Sequence, residues 1–140
     1  MKKVVLDTNV TISALFWKGH PRVIYDLIRD GKFIMLLSAE MEKEFIRVLG
    51  YTKFGLAPRE IPPFIRDLRM HSTFIETGSR IIAIPADPTD NIFLDCAVDG
   101  KADYIISGDK HLLDLYSYNG VQILKSREFL IKEGCFIEGC

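Results

Sequence analysis

The sequence predicts an α/β fold of three layers, α/β/α, in which a central five-stranded parallel sheet is covered by helices on both faces. Two observations carry this prediction. Short apolar segments alternate along the chain with longer segments of helical periodicity, and most of the short segments are apolar along their whole length rather than at every second position. A strand that is apolar on both sides is a strand buried on both sides. No internal repeat, low-complexity tract or linker divides the chain, so residues 1–140 are expected to form a single domain.

The elements follow in order. Val4-Val5-Leu6 is the first strand, and Asn9 to Phe16 carries Ile12, Leu15 and Phe16 at helical spacing. The loop Trp17-Lys18-Gly19-His20 leads to Pro21, a residue suited to the first turn of a helix, and that helix stops at Gly31. Phe33 to Leu37 is the second strand. Ser38 caps a helix whose apolar face is Met41, Phe45, Val48 and Leu49, with Gly50 as its stop. Between Tyr51 and Pro63 the pair Pro62-Pro63 forbids a uniform helix; helical spacing resumes at Phe64, Ile65, Leu68 and Met70. Thr73-Phe74-Ile75 is a weak third strand. Asp87-Pro88-Thr89-Asp90 reads as a helix start, with Asp87 as the cap and Asp90 third, and the helix ends near Gly100. Tyr104-Ile105-Ile106 and Val121 to Leu124 are the fourth and fifth strands, and Ser126 is expected to cap a last helix that stops at Gly134.

Composition narrows the function. An apolar content of 48% and a charged content of 26% are ordinary globular values, and the net charge of −1 argues against a broadly basic nucleic-acid binder. A nucleic-acid enzyme is compatible with it, because an acidic metal site offsets basic patches. No run of about 18 apolar residues predicts a membrane span. Asp7 cuts off the first apolar run after three residues, which argues against a signal peptide. Cys96, Cys135 and Cys140 are odd in number and lack metal-finger spacing, so reduced thiols and a cytoplasmic location are expected.

Asp7 sits where a strand should not hold an acid. In parallel α/β sheets, sites lie beyond the carboxyl ends of strands, near the point where strand order reverses. Three further acids fall at equivalent places: Glu44 on the helix after the second strand, Asp90 in the first turn before the fourth, and Asp109 just after the fourth. Like charges gathered in one volume repel unless a cation lies among them. Oxygen ligands without His or Cys favour Mg²⁺ or Mn²⁺ over zinc, and carboxylate-held Mg²⁺ typically works on phosphates. Each acid also has a structural reading: Asp7 as a helix cap, Asp90 as a partner of a helix dipole, Asp109 as a turn residue, and Glu44 as a solvated neighbour of Lys43 and Arg47. Asp95 lies five residues beyond Asp90, about 140° round the helix, which suits a supporting place rather than a ligand.

Leu6-Asp7-Thr8-Asn9, Glu44-Phe45-Ile46-Arg47-Val48-Leu49, Asp87-Pro88-Thr89-Asp90-Asn91 and Ser107-Gly108-Asp109-Lys110-His111-Leu112-Leu113 resemble the PIN domain. More narrowly, they resemble the PIN subfamily of toxin components of toxin–antitoxin pairs. The resemblance spans nearly the whole chain and keeps the order and spacing of all four motifs. It implies a parallel five-stranded sheet and a Mg²⁺- or Mn²⁺-dependent ribonuclease. In that family the acid quartet, both catalytic and metal-binding, corresponds to Asp7, Glu44, Asp90 and Asp109, and the polar helpers to Thr8, Asn9 and Ser107. It also brings in an RNA substrate, an antitoxin partner and a homodimer, with Phe136 and Ile137 in the tail as residues that pack on a second chain or close the domain.

Rival schemes fit less well. A phosphatase of the haloacid-dehalogenase type needs a second Asp two residues beyond Asp7, where Asn9 stands, and a receiver domain needs an acid pair after the first strand. There is no nucleophile-elbow motif and no glycine-rich phosphate loop. Trp17, Lys18, His20 and Arg22 combine a stacking surface with cations and form the expected RNA-contact loop. An exposed loop of ordinary charge is the competing reading.

Overall fold

The computed structural model describes residues 1–78, 80–84 and 88–135. Asp87, Phe136, Ile137 and Cys140, singled out above, lie outside the described residues. Strands β1 (Lys3–Leu6), β2 (Ile34–Leu37), β3 (Ser72–Phe74), β4 (Tyr104–Ile106), β5 (Ser117–Tyr118) and β6 (Val121–Leu124) form one sheet in the order β3-β2-β1-β4-β6-β5. All pairings are parallel except that of β5 with β6. The helices are α1 (Thr8–Phe16), α2 (His20–Arg29), α3 (Ala39–Leu49), α4 (Ile61–Met70), α5 (Asn91–Asp99), α6 (Lys110–Leu113) and α7 (Ser126–Lys132).

The expected α/β class is observed, with six strands rather than five. The extra strand is the short β5, joined to β6 by Asn119-Gly120, whose φ values of 48° and 82° are those of a tight hairpin turn. β1 lies inside the sheet, and Val4, Val5 and Leu6 are at most 1% exposed. Successive strand residues point to opposite faces, so both faces of β1 are covered. α5 packs over β1, β2 and β4, while α2 packs on α1 and α7.

Strand order fixes where a site can form. From β1 the chain runs outward through β2 and β3 on one side, then returns to β4 on the other side of β1. The reversal lies between β1 and β4, so their carboxyl ends flank an open crevice. Asp7 follows β1 directly, and Ser107 to Asp109 follow β4.

Three local expectations need correction. α4 begins at Ile61, three residues before Phe64, because Pro62 and Pro63 occupy the first turn, where backbone N–H groups have no intrahelical partner to lose. Within α4, Ile65 and Leu68 are buried but Met70 faces solvent. Ser126 is the first residue of α7 rather than its cap; the Lys125 N–H is instead taken by the Glu128 carboxylate at 3.4 Å.

Replacing Gly120 forces an L side chain into the left-handed region, at roughly 1–2 kcal/mol. Gly120→Ala is therefore expected to melt a few degrees below the native protein. Gly78→Ala, where φ is ordinary and a methyl group meets open space, should melt with it.

Candidate active site

Asp7 ends β1 and caps α1: its Oδ1 accepts the Val10 N–H at 2.9 Å. Its other oxygen accepts the Ser107 hydroxyl, and Ser107 Oγ in turn accepts the Asp109 N–H at 2.9 Å. Ser107 thus bridges the ends of β1 and β4. The cap uses one oxygen of Asp7 and leaves its carboxylate at the crevice. Asp109 plays the matching part for α6, its Oδ1 accepting the His111 and Leu112 N–H groups at 2.8 and 3.3 Å.

Asp7, Thr8, Asn9, Glu44, Asp90 and Asp109 all line one cleft of about 210 Å³ at this edge of the sheet. The four acids expected to act together therefore share a cavity. Asp90 is buried and stands immediately before α5, at the end of a tight turn spanning Pro88–Asp90, rather than third within the helix. Glu44 faces the cleft from α3 but is held by Arg47 one turn on, through Nη2 to Oε1 at 2.7 Å and Nε to Oε2 at 3.1 Å. Arg47 also donates to the Tyr51 hydroxyl.

As they stand, no three acidic, histidine or cysteine side chains among the described residues converge closely enough to ligate one ion. Glu44 is turned onto Arg47 and one oxygen of Asp109 onto α6. The donor set nevertheless suits a hard divalent cation, since all four groups are carboxylates. Thr8 Oγ1 supports that fit: it is buried at the cleft and finds no hydrogen-bond partner among the described residues. Burial pushes the Asp7 carboxyl up to about 6, against the pull of hydrogen bonds from Ser107, Val10 and Gly108; the nearby Asp109 charge pushes the same way as burial. A carboxylate that burial makes costly to ionise is one that a cation would complete.

The other residues singled out are less uniform in their placement. Asn9 lines the cleft and Ser107 braces it, whereas Asp95 does neither. Asp95 is buried on another side of α5 and accepts the Ile81 N–H at 2.8 Å, next to Asn91, which holds both backbone groups of Ile84 at 2.9 Å. It secures the segment leading into α5 rather than the carboxylates, as its position about 140° round the helix dictates. Of the expected contact loop, Trp17 borders a groove beside the cleft, but Lys18, His20 and Arg22 line neither among the described residues. Arg22 donates to the Ala14 carbonyl at 3.2 Å and pairs with Asp26, closing the α1–α2 corner. The cations at the cleft are instead Arg47 and Lys53, with Tyr51 between them. The aromatic and basic mixture Tyr51-Thr52-Lys53-Phe54 was the signal available for them.

Fold and cleft together define an α/β protein with a carboxylate-lined site at the switch point of a parallel sheet. The profile described as PIN domain matches residues 3–111, and the chain belongs to that family. PIN domains are generally nucleases. The chain is also 34% identical over 121 residues to an uncharacterized protein of Methanocaldococcus jannaschii, covering 84% of this chain and 77% of that protein. Among the described residues no helix is long and apolar enough to cross a membrane.

The raised Asp7 carboxyl sets the sign of a pH effect. Between about pH 4 and pH 6 the unfolded chain has lost this proton while the folded chain keeps it, so stability falls as pH rises through that window. Asp7→Asn removes the effect and can keep both contacts, accepting from Val10 and donating to Ser107 Oγ. With chelator present, the mutant should gain on the native protein in melting temperature from pH 4 to pH 6, by the equivalent of roughly 2–3 kcal/mol. Parallel melting curves across that range would show that Asp7 titrates normally.

Proposed function

We propose that this protein is a divalent-metal-dependent ribonuclease that hydrolyses RNA phosphodiester bonds at the Asp7, Glu44, Asp90 and Asp109 cleft. The observation that carries the reading is the gathering of four carboxylates around one cavity at the sheet's switch point. Asp7, Asp90 and Asp109 would hold Mg²⁺ or Mn²⁺, with Glu44 joining them by leaving Arg47. When bound, the ion supplies an activated water and neutralises charge on the scissile phosphate.

The chain's own residues provide position and charge. Ser107 fixes the Asp7 carboxylate relative to Asp109, so two acids are set by backbone rather than by flexible stems. Arg47, once it is free of Glu44, and Lys53 supply cations for the substrate's phosphates on the side of the cleft facing Tyr51. Resemblance to toxin components supports a place in a toxin–antitoxin pair, and a small acidic or DNA-binding reading frame beside the gene is the expected companion. Its absence would favour an RNA-processing nuclease with the same site.

Labelled single-stranded RNA should be cut in Mg²⁺ or Mn²⁺, left intact in chelator, and left intact by Asp7→Asn. The expected ends are a 5′-phosphate and a 3′-hydroxyl. A 2′,3′-cyclic phosphate would instead indicate attack by the ribose 2′-hydroxyl and would refute hydrolysis by an activated water.

Metal binding is measurable without substrate. A ligand at a hundredfold excess over its dissociation constant adds about 2.7 kcal/mol to stability. Mn²⁺ should therefore raise the native melting temperature by several degrees and that of Asp7→Asn much less. Equal shifts for both proteins would remove Asp7 from the metal site.

A further inference from the structure

Beside the acid cleft lies a second groove of about 300 Å³, lined by Asn9, Ile12, Ser13, Trp17, Lys53 and Phe54. Asn9 and Lys53 line both, so the two spaces adjoin. The groove's character differs from that of the cleft: it offers aromatic rings and no carboxylate. Trp17 is 55% exposed, although its ring meets Phe16 at 5.8 Å. Phe54 stacks on Phe16 with centroids 5.8 Å apart and planes 15° from parallel, and Phe16 is packed against the core. Lys53 Nζ lies 5.2 Å from the Phe54 ring centroid, at the junction of groove and cleft.

An apolar, aromatic-walled space next to a phosphate-directed cleft, with one cation at the join, matches the chemistry of a nucleotide: a flat base on one side and a charged backbone on the other. We infer that this groove seats a base of the RNA next to the scissile phosphate, with Trp17 as the stacking face, Phe54 as an aromatic wall and Lys53 on the linking phosphate. The inference rests on the nuclease reading and extends it to substrate class. A base must leave its helical stack to enter, so the substrate is single-stranded or looped rather than duplex. Stacking accepts any base, so the groove selects for an unpaired nucleotide more than for sequence.

Trp17 is the only tryptophan in the chain, which makes its fluorescence a direct reporter of the groove. The experiment titrates Asp7→Asn protein with a short single-stranded oligoribonucleotide, with an abasic sugar-phosphate chain of equal length, and with a duplex. Quenching by the single strand, with little from the other two, is the expected result. By anisotropy of a labelled oligonucleotide, the further change Trp17→Leu should weaken binding about tenfold, as loss of one stacked base does. Lys53→Gln should weaken binding and reduce the salt slope by about one. A melting curve for each variant confirms folding, which the exposure of Trp17 and Lys53 favours.

A Trp17 signal unmoved by the single strand, or moved equally by the abasic chain, overturns the inference. So does a spectral shift that follows protein concentration alone, which would place the ring against a second copy of the chain. The two readings fail separately. RNA cut in Mn²⁺ while Trp17 stays silent removes the groove and leaves the nuclease; quenching without cutting removes hydrolysis and leaves a base-binding groove.

Discussion

The site depends on one buried carboxylate. Asp7 is 4% exposed, at the point in the sheet where the connections from the parallel neighbours β1 and β4 lead to opposite sides. Burying an acid is costly unless donors surround it, and Asp7 accepts from the Val10 N–H and the Ser107 hydroxyl. They do not fully offset desolvation, which is why its carboxyl rises to about 6. Those same donors belong to the start of α1 and the end of β4, so satisfying Asp7 also sets the spacing of the crevice walls. Ser107 extends the arrangement by receiving the Asp109 N–H, which places the second acid relative to the first.

Much of this was legible in the sequence because it depends on local rules. Fully apolar runs marked β1, β2 and β4, β6 is apolar but for Gln122, and the caps at Asp7 and Ser38 follow from side chains that can accept a free helix N–H. Asp7 and Asp109 could be singled out on physical grounds, since one follows β1 directly and the other stands in the turn after β4. Glu44 and Asp90 also fall near strand ends in the sequence, but their placement depends on how α3 and the turn before α5 pack, and the family resemblance added what spacing left open. β5 was missed although Asn119-Gly120 is a strong hairpin signal, because two residues are too few to show an alternating pattern.

The cationic side of the site was illegible for a different reason. Arg47 reads as an ordinary partner of Glu44 one helical turn away, and that contact is indeed made. Its approach to the cleft depends on the stretch after α3, where Thr52–Phe54 and Pro58–Glu60 each form a single tight turn. Short turns of this kind follow from tertiary packing rather than from periodicity. Here Phe54 stacks on Phe16, which draws Lys53 to the cleft mouth. The contact that positions the cation is aromatic and lies far along the chain from it. By contrast, of Trp17, Lys18, His20 and Arg22, whose charges are close in sequence, Trp17 borders the groove while Arg22 turns back to close its own corner.

The two walls of the cleft therefore differ in how firmly they are held. Asp7 and Asp109 are anchored by backbone N–H groups and by Ser107, and moving either would uncap a helix. Glu44 is held by the Arg47 side chain, which is itself 56% exposed, and a partner reached by water is exchanged more readily than a backbone donor. Its carboxylate can change partners at little cost to the fold. A site built this way separates its two requirements: the acids that define geometry are rigid, and the acid that must answer to a newly arrived charge is loosely held. The same exchange would free Arg47, so a cation drawing Glu44 into the cleft also leaves a guanidinium at its rim for a phosphate. Coupling of that kind needs no movement of the backbone, only two side chains on one helix trading partners.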